Sequence, residues 1–197
     1  MTITAKIVKV KDVSELKMLD ANVQHAELDS RQFSRHKNLD GSIGGFVEKT
    51  AKVDRTAYVG SNALVLENAQ IYGNARISDN AHVFGKAQVF GDAWVCGKAC
   101  VSGDALVYGD AQIFGDAQVF GDAWVYGKAQ VSGSARVCGC ANVCGSANVS
   151  GNAKMHHGIV EIFYSFTSTE QVEEYLKSVN DLKVRLDTIR AKSALRK

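Results

Sequence analysis

A chain of 197 residues with 23 basic and 21 acidic side chains, net charge +2, has room for one domain with small appendages and too little charge to imply a nucleic-acid or membrane field. No window holds about 18 consecutive apolar residues, so nothing in the sequence reads as a bilayer span. The five cysteines are odd in number and cluster inside a repeat, which argues for reduced thiols in a cytoplasmic setting rather than a secreted disulfide framework.

Residues 1–50 open with TITAKIVKV, whose alternation predicts a strand and which lacks the apolar core of a signal peptide. DVSELKMLD then predicts a short helix, and a polar stretch leads to the glycines of GSIGG. This segment is read as an N-terminal cap on the repeat that follows. Lys6, Lys9, Lys11 and Lys17 gather here, but no stripe of Lys or Arg runs on along the chain, so nucleic acid is not an expected partner.

From Val53 to Val149 every sixth residue is Val or Ile, and an alanine stands two places before each one. Glycine follows the aliphatic residue by two at position 73 and at every sixth position from 85 to 151. The unit reads A-x-[VI]-[YFSC]-G-[DNKS]. Residues two apart on a strand face the same side, so each Ala and its Val or Ile point inward together. The glycine and its polar neighbour then supply a corner, the chain having no proline to help. A spacing of six fits neither the 3.6 nor the 3.5 helical period. One unit cannot bury its own apolar face, so units must stack into a solenoid over 51–157.

The run VYGDAQIFGDAQVFGDAWVYGKAQ resembles the hexapeptide-repeat, left-handed parallel β-helix proteins, in particular a VYGDA-type branch of bacterial and phage-borne repeat proteins. GSIGGFVEKTAKV, at 41–53, is similar to the segment that leads into such coils. The resemblance implies three hexads per turn, residues 18 apart in vertical columns, and a three-sided coil of about six rungs. Association into homo-oligomers, often trimers, comes from the same resemblance. One column would hold Tyr72, Phe90, Tyr108 and Tyr126, a band fit either for an interface or for stacking alone. Charges along the corners give a mixed test. Lys86 falls under Asp104, Lys98 under Asp116 and Asp110 under Lys128, but Asp92 falls under Asp110 and Asp104 under Asp122.

After Met155 the period breaks, and residues 158–197 form a third region. GIVEIFYSF reads as a strand, and the rest as a helix begun by a Thr167–Glu170 capping box. Val172, Val179 and Leu186 fall at heptad a, and Tyr175, Leu182 and Ile189 at d. The stripe suits a coiled coil between copies or docking on the chain's own solenoid.

Two constellations offer chemistry. His82 lies one turn below Cys100, raw material for nucleophilic catalysis, though Gln118 follows in the column where an orienting group would be needed. Cys138, Cys140 and Cys144 lie near His156 and His157, with His156 one turn above Cys138; zinc is a candidate ligand at an unusual spacing. No cofactor is expected. The resulting reading is an all-β solenoid with an N-terminal cap and a C-terminal strand and helix. Its expected role is a non-enzymatic, self-associating scaffold or binding protein, and the phage-borne resemblance implies an accessory protein of a phage or mobile element that binds a host factor. The alternative is an acyltransferase-like enzyme using acyl-CoA with His82 as base.

Overall fold

The computed structural model describes residues 7–20, 22–161 and 164–194. Each hexad contributes a two-residue strand, as in Gln88–Val89, Trp94–Val95 and Cys100–Val101. The chain then turns a corner, and the third strand along pairs in parallel with the first: Val83 with Val101, and Val101 with Val119. Three sheets result, here named face A (with His82), face B (with Gln88) and face C (with Trp94). The hexads supply six strands to each face; faces B and C each gain a seventh after the repeat, and face A gains four before it.

Why six residues suffice is visible in the hydrogen bonds. Gln88 donates its backbone N–H to Ala105 O at 2.9 Å and Phe90 to Val107 O at 2.9 Å. The corner is bonded as well as the strand, since Asp92 donates to Gly109 O at 2.9 Å. Inside, the Ala and Val or Ile columns from Ala57 to Val149 are at most 1% exposed. The corner glycines from Gly73 to Gly151 sit at φ between +58° and +74°. A Cβ on Gly109 would also lie 3.0 Å from Gly127 N, so the tight stacking asks for glycine a second time.

At the N-terminal end β1 (Ile7–Lys9), β2 (His25–Leu28), β3 (Arg31–Lys37) and β4 (Ile43–Glu48) extend face A in that order, and α1 (Val13–Met18) joins β1 to β2. The polar stretch of the sequence thus takes part in two antiparallel pairings, β2–β3 and β3–β4. β4 is a rung of the coil ahead of the recognisable repeat: Phe46 pairs with Leu64 and Val47 with Val65, 18 residues on. Gly45 takes the alanine place, and a Cβ there would sit 1.9 Å from Ala63 O. Asp12 caps α1, accepting from Ser14 and Glu15 N–H, and Leu16 is buried with Phe46, Leu64 and Leu66. Of the alternating N-terminal segment, residues 1–6 lie outside the described residues.

Two side chains of β3 and its flank tie this cap to the coil. Arg35 donates to Val23 O, Gly44 O, Ser61 O and Leu19 O at 2.8–3.1 Å, with its guanidinium 4.3 Å from the Phe46 ring centroid. Asn38 acts as a surrogate peptide for the edge of face C: its Nδ2 donates to Val59 O at 3.1 Å and its Oδ1 accepts from Val59 N at 2.9 Å. An edge that would otherwise recruit another strand is thereby satisfied.

At the other end the repeat does not stop where its period breaks. Ile159–Val160 and Ser165–Phe166 are two further strands, on faces B and C, in place of the single strand expected over 158–166. They pair 17 rather than 18 residues back, Val143 with Val160 and Val149 with Phe166. One corner residue has been lost, and Gly158 (φ +88°) occupies the alanine place, accepting from Asn142 N–H at 2.9 Å. Ile162 and Phe163 lie outside the described residues. Helix α2 (Thr169–Ala194) then closes the end of the core, with Val172 buried and Tyr175 and Leu176 packed on the coil interior. Its cap is displaced by one residue from the expected Thr167–Glu170 box: Gln171 Oε1 accepts from Thr167 and Ser168 N–H, and Gln171 N–H returns to Ser168 Oγ at 3.4 Å.

Candidate functional site

The aromatic column forms a continuous stack. Tyr72, Phe90, Tyr108 and Tyr126 have ring centroids 4.7, 4.8 and 4.8 Å apart with planes within 7°. These separations equal the strand spacing of a sheet, which falls within the centroid range of offset aromatic stacking. The rings lean over face B, where Tyr72 Oη donates to Gln88 Oε1 at 3.0 Å. Burial pushes the Tyr72 phenol up, and Tyr126 is raised by its hydrogen bond with Cys144, then by burial. Beside the stack the outward column of face B runs Gln70, Gln88, Leu106, Trp124, Asn142. Trp124 is 44% exposed, and Asp104, Asp122, Asp92 and Asp110 stand exposed at the two flanking corners. Lys86, 3.8 Å from Asp104, and Lys128 stand exposed in the same two corner columns, so face B is an apolar strip whose rims are mixed but carry two carboxylates on each side. Leu106 was missed in the sequence, although reading every outward column at a step of 18 finds it; the Asp columns were read there only as a test of charge pairing.

Helix α2 divides the expected heptad stripe. Val172 is buried in the coil's end and Tyr175 packs against it, whereas Val179 and Leu182 are 42% and 57% exposed. Side chains of Leu186 and Ile189 lie outside the described residues. Every residue from Lys177 to Arg185 is exposed. Between the helix and Ile159 lies a groove of about 560 Å³ that also includes Gly158, Leu176 and Val179. Lys183 and Arg185 occupy the e and g positions beside Leu182, and Arg190 and Lys192 repeat those positions a heptad later in the sequence. Like charges on both flanks oppose the pairing of this seam with its own copy.

His82 and Cys100 do stand one above the other on face A, in register across adjacent strands. Lys17 of α1, which no sequence spacing relates to them, reaches over this point and donates to Asn80 O at 3.3 Å. Burial, then the Lys17 charge, lowers the His82 pKa; burial raises the Cys100 thiol against the pull of Lys17. Both shifts favour the neutral partners, thiol and imidazole, so the pair is poorly poised to form a thiolate nucleophile. His82 Nε2 is buried with no hydrogen-bond partner. Among the neighbouring side chains that shape a shallow depression are Phe84, Gln118, Phe120 and Arg136.

Of the cysteine and histidine cluster, one pair meets: Cys138 Sγ lies 2.9 Å from His156 Nδ1. Burial pushes the Cys138 thiol up. The shortened corner puts His156 O, not His157, over Gly139, and turns His157 toward α2. Cys140 is exposed and Cys144 buried, and all five cysteines are free thiols. Among the described residues no group of three or more His, Cys, Asp or Glu side chains could hold a metal ion. No helix among them is long and apolar enough to cross a membrane.

Two stretches of the chain, 69–85 and 111–127, match the YdcK beta solenoid repeat model. No curated protein and no solved structure gives a significant match. Together with the three parallel sheets, the match makes this a β-solenoid repeat protein.

Proposed function

We propose that the protein is a non-enzymatic scaffold that associates with itself through surfaces on its coil and on α2. The observation carrying this reading is the exposed apolar seam of α2, where Val179 and Leu182 stand in solvent while Val172, in the same stripe, is sealed in the core. A helix whose only task was to close the coil would need no apolar side chains beyond Leu176. The resemblance to hexapeptide-repeat proteins favours a trimer. Its phage-borne branch extends the reading to an accessory protein of a phage or mobile element that engages a host protein. The acyltransferase alternative draws no support from His82, whose column supplies no orienting group and whose neighbour Cys100 is held as a thiol.

The test is light scattering on the full chain and on Val179→Asp/Leu182→Asp. Both positions are exposed, so the coil stays intact, whereas truncating the helix would uncover the core around Val172. Assembly of the wild type and a single-chain mass for the variant are expected. An unchanged mass in the variant, or a monomeric wild type, overturns the reading.

A further inference from the structure

The geometry points to face B of a second copy as the partner of α2: the apolar seam of one chain's helix lies along the aromatic strip of another chain's coil. This rests on the proposed self-association and names the two surfaces that meet. Three observations carry it.

The first is length. The rings from Tyr72 to Tyr126, at separations of 4.7, 4.8 and 4.8 Å, span about 14 Å along the coil. Residues 179–189 of α2 span about 15 Å at 1.5 Å per residue.

Charge is the second. On either side of Leu182 the helix presents Lys183 and Arg185, both exposed. On either side of the strip the coil presents Asp122, at the corner leading into Trp124, and Asp110, at the corner leaving Tyr108; both are exposed. Lys86 and Lys128 stand further along the same rims, so the cations flanking the seam meet carboxylates only in the register that sets them at Asp122 and Asp110, and such complementarity fixes register and excludes wrong partners.

The third is what the alternative costs. A seam flanked by Lys183 and Arg185 on both sides, pairing with its own copy, sets like charges opposite each other. Face B relieves that repulsion. Faces A and C do not offer the same strip: the outward column of A runs His82, Cys100, Gln118, Arg136, and that of C runs Arg76, Trp94, Gln112, Gln130. In the rungs where B places Leu106 and Trp124, face A places Cys100 and Gln118 and face C places Gln112 and Gln130.

Charge reversal decides it, measured by sedimentation equilibrium on full-length chains at low salt, with circular dichroism showing the coil intact. Lys183→Glu/Arg185→Glu weakens association at least about tenfold, and Asp110→Lys/Asp122→Lys does the same. The fourfold variant, with the charges exchanged, returns to within about threefold of the wild type. Neutral variants, Lys183→Gln/Arg185→Gln and Asp110→Asn/Asp122→Asn, fall between. If the wild type assembles and Asp110→Lys/Asp122→Lys leaves it unchanged, the helix has another partner and this inference fails alone. Tightening by Lys183→Glu/Arg185→Glu identifies helix-to-helix pairing and likewise overturns it. A monomeric wild type overturns it together with the self-association on which it rests.

Discussion

Along the coil each rung repeats the one before, whereas the N-terminal cap is built from residues used once. Val89, Val107 and Val125 sit in near-equivalent surroundings, each between a Val or Ile 18 residues away on either side and with no exposure. In the cap, Arg35 alone answers carbonyls from α1's C-terminal flank, the β1–β2 connection, β4 and the coil. Redundancy spreads strain over many layers, while a single hub concentrates it. Solenoid stability is a sum of similar nearest-neighbour terms, and the terminal units carry the exceptions.

That contrast is sharpest at the junction. Gly45→Ala places a Cβ 1.9 Å from Ala63 O and 2.7 Å from Gly60 O, both backbone atoms with nowhere to go. The expected loss is about 4 kcal/mol or more, read as a fall of roughly 10 °C in Tm. Gly41→Ala is the control, since a Cβ there meets nothing within 4 Å despite φ +84°, and it costs about 1 kcal/mol. An equal loss from both variants would mean that space at the junction does not limit the cap.

Arg35→Ala removes the guanidinium donor from five carbonyls and is expected to cost about 2–4 kcal/mol. Hydrogen exchange should accelerate over residues 7–37 while the coil interior stays protected. Acceleration along the entire coil would show that cap and coil unfold as one unit. Within the repeat, Gly109→Ala is milder, about 1–2 kcal/mol, because its φ of +72° and the 3.0 Å approach to Gly127 N are shared with rungs that can shift together.

The smallest effect is with pH. His36 and His82 flank the junction, and burial lowers both pKa values below 6.5; for His82 the Lys17 charge adds to it, and for His36 a hydrogen bond to Ala57 O opposes it. The unfolded chain therefore binds more protons once pH falls below 6.5, and stability must decline from there toward the lowered native values. His36→Gln/His82→Gln should flatten that slope in a melting series. A slope unaltered by the pair would place the acid sensitivity elsewhere.

How much of this was legible depends on whether a contact recurs. The hexad period alone predicts inward Ala and Val and glycine corners, and the resemblance to three-hexad coils adds the column of Tyr72, Phe90, Tyr108 and Tyr126, because a solenoid strand always meets the strand a fixed number of residues away. Where that number changes by one, at His156–Gly158, the period vanishes from view although the coil continues to Phe166. His157 left the cysteine cluster for the same reason. β4 was hidden by Gly45, which looks unlike alanine but stands in its place.

Composition and spacing by themselves thus determined a stacked solenoid with Ala and Val or Ile inside and polar residues outside, its three sides being what the resemblance implied. Only the tertiary structure decided that Arg35 and Asn38 lock the cap, that Lys17 sits over His82, and that the heptad stripe of α2 is split between a buried Val172 and an exposed Leu182. Those contacts join segments at separations that occur once, so no periodicity announces them. They form because the open end of a stack leaves particular carbonyls and apolar surfaces unsatisfied, and whatever chain lies nearest must meet them.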